Sequence, residues 1–257
     1  MMMLKTQKVS KMFGGLAAIS DLHIHIDTGE LVGLIGPNGA GKTTAFNLFT
    51  GVYSPTEGEL YFAGEDVAGL RPYVITNKGI ARTFQNIRLF KSMSVIENVK
   101  TGFHGHLRYG LFSAFVHGRK YRAVEAEMHE RALELLRIFD LEDKQDENAA
   151  NLPYGEQRRL EIVRALAADP KLLLLDEPAA GMNPQETQNL MKLIHKIRKD
   201  FNLTILLIEH DMSLVMGICE RLYVLDYGKI IAEGTPEEIK NNKRVIEAYL
   251  GEEAIDA

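Results

Sequence analysis

Leu31-Val32-Gly33-Leu34-Ile35 is an unbroken apolar run, and it passes directly into Gly36-Pro37-Asn38-Gly39-Ala40-Gly41-Lys42-Thr43, followed by Thr44. A run this short and this apolar predicts a strand buried on both faces, as in a parallel sheet covered by helices. The residues after it fit G-x-x-x-x-G-K-[ST] and open a predicted helix, the context the spacing requires. Glycines let consecutive backbone N–H groups turn inward around a phosphate, and the helix N-terminus adds favourable partial charge. Lys42 supplies a point charge for the β- and γ-phosphates, and Thr43 a hydroxyl for Mg2+.

Two further apolar runs, 172–175 and 203–208, read as strands of the same sheet. The first ends in Asp176-Glu177-Pro178 and the second in Glu209-His210-Asp211. Where the chain bends at a strand end, adjacent acids can both reach one site. Asp176 would then hold Mg2+ through water, and Glu177 would orient the attacking water or take its proton. His210 arrives at the same sheet edge, where a ring N–H could meet a γ-phosphate. A solvated acidic strand end and a surface histidine are the plain alternatives. Guanine is disfavoured: Thr76-Asn77-Lys78-Gly79-Ile80 contains Asn-Lys but lacks the aspartate that guanine selection uses.

Around these strands, 184–199 has helical character, with Leu190, Ile194 and Ile197 on one face, so the architecture is α/β. Residues 4–30 and 59–82 are rich in β-branched residues and glycine, and His23 to Ile26 alternate; both stretches predict an antiparallel sheet beside the core. Residues 88–150 read as mostly helical, with a stripe of Val124, Met128, Leu135, Leu136 and Phe139; 142–148 reads as a polar link. Residues 234–257 predict one or two short helices with an acidic end.

With these pieces in order, the chain resembles the ABC transporter ATPase family over nearly its whole length. Leu152-Pro153-Tyr154-Gly155-Glu156-Gln157 stands where that family has its Leu-Ser-Gly-Gly-Gln signature. Gln85, in Ala81-Arg82-Thr83-Phe84-Gln85-Asn86, matches the glutamine that touches Mg2+ and water. Ala180-Gly181-Met182-Asn183-Pro184 matches the loop joining two cassettes, and Phe13 falls where an aromatic ring stacks on adenine. The resemblance implies a P-loop NTPase fold, a single ABC ATP-binding domain over 1–257. Its RecA-like parallel-sheet core with an antiparallel β subdomain would span 1–87 and 152–233. A helical subdomain would cover 88–151 and a C-terminal helical extension 234–257. It also implies that two cassettes face head to tail, each ATP lying between one cradle and the other chain's signature helix. Gly155, with Gln157 in the same turn, would meet the partner's γ-phosphate.

Two positions depart from the family. Pro153 replaces the signature serine and has neither hydroxyl nor N–H, and Asn183 stands where the family has aspartate. The expectation is a less tightly closed ATP sandwich that leans more on partner subunits.

Phe13-Gly14-Gly15-Leu16-Ala17-Ala18, the run 82–90 and Glu209-His210-Asp211-Met212 are most similar to the ATP-binding subunits of branched-chain amino acid importers. Importers of urea, amides or aromatic acids share these features, and the ATPase of lipopolysaccharide export shares them to a lesser degree. Residues 101–122 form an insertion with aromatics among glycines and basic residues, readable as a docking surface for a membrane subunit or as a loop folded on its own helices. Its His104, His106 and His117 lack strong metal-ligand spacing. The partners implied are a second cassette, identical or a sibling, membrane-spanning permeases and, indirectly, a periplasmic or extracellular binding protein.

Bulk properties agree. No apolar run approaches the roughly 20 residues of a membrane span, so the expected location is peripheral, on the cytoplasmic face of the membrane. The net charge of −5 speaks against a broad basic face for nucleic acid. The single cysteine, Cys219, lies in a predicted helix and allows no disulfide within the chain. A non-transport ABC ATPase would bring a second cassette, a coiled coil or a zinc insertion, and a small-molecule kinase would leave 152–157 unexplained.

Overall fold

The computed structural model describes residues 1–103, 105 and 119–250. Its centre is a six-stranded sheet of β4 (Leu31–Ile35), β7 (Ile80–Arg82), β8 (Leu172–Asp176), β9 (Thr204–Ile208), β10 (Arg221–Asp226) and β11 (Lys229–Gly234), in the order β11-β10-β4-β9-β8-β7. The pairs from β10 to β7 are parallel, and β11 closes one edge antiparallel to β10. Every residue of β4, β8 and β9 is buried.

Each of these strands serves two cores. Leu31 and Ile35, Leu173 and Leu175, and Ile205 and Leu207 face one apolar cluster with the helices α3 (Val95–Phe103), α4 (Arg119–Ile138), α5 (Tyr154–Leu166), α6 (Pro184–Asp200) and α7 (Met212–Ile218). Their neighbours Val32 and Leu34, Leu172 and Leu174, and Leu206 and Ile208 face a second cluster with α1 (Lys42–Phe49) and the second sheet. Side chains alternate along a strand, so two cores demand apolar residues on both faces, and only the terminal Asp176 and Thr204 are polar.

The second sheet joins β1 (Met2–Phe13), β2 (Leu16–Leu22), β5 (Glu57–Phe62) and β6 (Glu65–Asp66) in the order β2-β1-β5-β6, with β3 (His25–Asp27) pairing with β1. All its pairs are antiparallel, as expected. The expectation for 59–82 needs correction beyond Asp66. Pro72–Lys78 is a helix, α2, opened by proline and closed by Gly79 at φ +111°. Ile80–Arg82 leaves it to pair parallel with β8 in the central sheet. Val74, Ile75 and Thr76 gave this segment a strand-like composition, but its Pro and Gly punctuate a helix.

The helical stretch runs as anticipated through α3 and α4, with Met128, Leu135, Leu136 and Phe139 buried. Residues 142–148 are pinned rather than a free link: Val95 N–H donates to Glu147 O and Ile96 N–H to Gln145 O. The helix before Cys219 ends at Ile218, so the cysteine caps α7 instead of lying within it. Two short helices, α8 (Pro236–Lys240) and α9 (Lys243–Leu250), complete the described chain. His104, His106 and His117 lie outside the described residues, as does most of the 101–122 insertion. Among the described residues no helix is long and apolar enough to cross a membrane.

Candidate active site

The phosphate cradle leaves the buried end of β4 and is built by close approach. At Gly36 a Cβ would fall 1.9 Å from Leu225 O, and at Gly41, φ +108°, 2.7 Å from Ala18 O. No other residue type fits these two positions without displacing backbone. At Gly39, φ +81°, a Cβ would meet nothing within 4 Å. Gly228 N–H donates to Ala40 O, tying the loop to the β10–β11 turn. Asn38 and Gly39 are exposed, Pro37 is half-buried and Ala40 is buried; Thr43 is exposed and Thr44 half-buried in the first turn of α1.

Lys42 Nζ donates to Gly36 O at 2.6 Å and Pro37 O at 2.9 Å. Burial holds its ammonium below the ordinary lysine value, against the opposing pull of Glu177 and Asp176. A partly desolvated cation beside two carboxylates and a glycine loop suits a polyphosphate.

β8 delivers the two acids differently. Asp176 ends the strand, buried, and Arg82 donates to its Oδ2 at 2.6 Å while also donating to Asn47 Oδ1. Asp176 N–H donates to Thr83 Oγ1. Glu177 then enters the left-handed region, φ +46°, with its N–H held by Ile208 O. This turn brings three groups together: Gln85 Nε2 donates to Glu177 Oε2 at 2.8 Å, and His210 Nδ1 lies 3.6 Å from the same oxygen. The outer members of the trio reach in from the loop after β7 and from the end of β9.

Glu209 had no place in the expected site, yet it organises this edge. Its buried carboxylate accepts from the N–H groups of Ala179, His210 and Asp211, fastening the loop after β8 to the loop after β9. Burial pushes its pKa up, and those three N–H groups pull it back. Arg82 was likewise passed over. Both residues stand at the end of an apolar strand, and a charged residue at such an end is the signal the sequence holds for them.

The remaining expected residues lie apart from the trio. Phe13, at the end of β1, is 42% exposed and packs edge-on against Tyr53 at 5.1 Å. Pro153 is the N-cap of α5 and Gly155 is half-buried in its first turn. Gln157 turns its amide back onto Leu152 O at 2.8 Å, within its own turn. Among the described residues no hydrogen bond joins Gly155 or Gln157 to Lys42, Asp176, Glu177 or His210. Asn183 caps α6 in a reciprocal box with Glu186.

A family model described as ABC transporter matches residues 19–180. The chain belongs to the ABC transporter family. A second model, the branched-chain amino acid ATP-binding cassette transporter, matches residues 229–255 of this cassette. This chain is 49% identical over 240 residues, 93% of its length and 94% of the relative's, to the Escherichia coli high-affinity branched-chain amino acid transport ATP-binding protein LivG. It is 45% identical to the Pseudomonas aeruginosa protein BraF of the same description, over 97% of this chain and 98% of that one. The lipopolysaccharide export ATP-binding protein LptB of Haemophilus influenzae is 35% identical over 98% and 99% of the two chains. Among solved structures, a nucleotide-free ATP-binding cassette from an ABC transporter superposes with TM-score 0.85 and 35% identity, covering 98% of this chain and 100% of that one. A dimeric cassette bound to ADP and Pi superposes at 0.77 with 27% identity, over 91% and 99%.

Side chains with oxygen donors, the kind Mg2+ takes, stand in the first turn of α1, at the end of β8 and in the loop after β7. Among the described residues no three His, Cys, Asp or Glu side chains converge into a metal cage. One hydroxyl, one carboxylate and one amide (Thr43, Asp176, Gln85) suit a hard cation that shares its shell with phosphate oxygens and water.

Proposed function

We propose that this cassette binds and hydrolyses ATP to energise an importer of branched-chain amino acids. The observation that carries the catalytic part is the meeting of Gln85 and His210 on Glu177, beside Lys42 and Asp176. The identities to LivG and BraF, with the matched C-terminal model, support the substrate class.

In this reading Phe13 offers its exposed ring to adenine. The N–H groups of 36–44 cradle the phosphates, and Lys42 exchanges its loop carbonyls for β- and γ-phosphate oxygens. Thr43, Asp176 and Gln85 would hold Mg2+, which neutralises phosphate charge when bound. Glu177 orients a water in line with the γ-phosphorus and takes its proton as the oxygen–phosphorus bond forms and the bond to ADP breaks. His210 donates a ring N–H to the γ-phosphate. Gly155 presents its N–H to the ATP held by a second cassette, and both cassettes dock on membrane-spanning permeases at the cytoplasmic face, served indirectly by a binding protein.

The test is reconstitution with the membrane subunits in proteoliposomes. ATP-dependent uptake of labelled leucine, isoleucine or valine, abolished by Glu177→Gln with ATP binding retained, is the expected result. ATPase activity coupled to lipopolysaccharide release instead of uptake would transfer the chain to the LptB branch.

A further inference from the structure

Arg158, Glu161 and Arg164 recur every three residues along one face of α5, and all three reach the segment after β7. Arg158 is wholly buried. One arm of its guanidinium donates to Phe84 O at 2.6 Å and the other to Gln85 O at 2.7 Å. It also meets the Tyr154 hydroxyl at 3.0 Å and Glu161 at 3.3 Å. Glu161 accepts from Arg88 N–H, and Arg164 donates to Arg88 O at 2.5 Å.

A buried guanidinium is costly to desolvate, and one whose Nε finds no partner among the described residues is more so. Core filling alone is served by an apolar side chain. What Arg158 adds is geometric: a planar fork whose two arms hold two successive carbonyls, which an ammonium cannot span from one plane. The same Gln85 whose carbonyl is gripped sends its amide to Glu177. One turn earlier on the same helix is Gly155, so a single side chain stands between the two ends of the chain's chemistry.

Resting on the function proposed above, we infer that Arg158 is a positioning residue that locks the glutamine segment to the signature helix. Engagement of Gln85 at the chain's own nucleotide is thereby transmitted to Gly155, the group offered to the partner's nucleotide. Two sites that share no residue within one chain are coupled through one guanidinium.

Hydrogen–deuterium exchange on the full chain tests this, with AMP-PNP and Mg2+ as the probe, at a dilution where sedimentation reports a monomer. In the unaltered chain the nucleotide slows exchange at 36–44, 84–88 and 153–157 alike. Arg158→Lys and Arg158→Met should keep the protection at 36–44 and a Kd within about twofold, yet lose at least about half of the nucleotide-dependent protection at 153–157. Lysine should lose less than methionine. Protection that still spreads fully to 153–157 in both variants overturns the inference. So does failure of both to fold, seen as lost protection of 36–44 before nucleotide is added, because Arg158 would then serve folding alone. Absence of protection at 36–44 in the unaltered chain would strike the underlying ATPase reading first, and this inference with it.

Discussion

At Glu177 the backbone adopts φ +46°, a region that costs a residue with a Cβ roughly 1–3 kcal/mol. The strain turns its carboxylate toward Gln85 and His210 when a relaxed strand end would carry it to the opposite face. Glu177→Gln keeps that backbone and removes the carboxylate proposed as the base. ATP binding should persist, hydrolysis should fall by about 10²–10⁴-fold, and closed pairs should accumulate in sedimentation. Pro153 calls for the opposite test. Pro153→Ser returns a hydroxyl whose hydrogen bond to a charged group contributes about 1.5–3 kcal/mol, so ATP-driven pairing should tighten in the same assay. The Cys219 thiol, pushed up to about 12 by burial, must remain protonated in the fold. Iodoacetamide at pH 8 should label it slowly until urea is added. Because the folded-state pKa is raised, the thiol's contribution to stability is complete below its ordinary value and is lost as pH climbs from there toward about 12.

Among the elements, α6 explains a departure that the sequence left open. Asn183 accepts from Glu186 N–H while Glu186 accepts from Asn183 N–H, and aspartate caps a helix as well as asparagine does. Asn183→Asp should therefore leave the melting temperature nearly unchanged, whereas Asn183→Ala should cost about 1 kcal/mol, measurable by urea unfolding. Elements of this kind were readable in advance wherever local chemistry decides them. β4, β8 and β9 announce themselves because burial on both faces makes them apolar throughout except at Thr204 and Asp176 on their ends, and Gly36 and Gly41 of the cradle because nothing else fits. α2 was misread because Val74, Ile75 and Thr76 outweighed the Pro72 and Gly79 that bound it. The β10–β11 hairpin was missed because its signal is short, the turn at Tyr227-Gly228, both with positive φ. For Arg82, Glu209 and Arg158 the sequence carries no sign of the partner. A long charged side chain reaches many places, and its partners here, Asp176, Ala179 and Gln85, come from other elements.

For the whole molecule, the two sheets are joined by more than apolar contact. Arg221 donates from β10 to His25 O on β3 and to Glu30, and also to Glu233 on β11. The 101–122 insertion, which follows the glutamine loop, is tested by a variant in which it is shortened. Such a variant should retain ATP affinity while transport in proteoliposomes falls, if the insertion docks on a permease. Lost nucleotide binding would instead make it part of the cassette's own support.

The alternation of β4, β8 and β9 between two cores has a mechanical result. Cradle, acids and histidine hang from neighbouring rods whose every methyl is gripped from above or below, so none can tip alone. The spacing of Lys42, Glu177 and His210 is therefore set by one doubly packed layer and not by three independent loops.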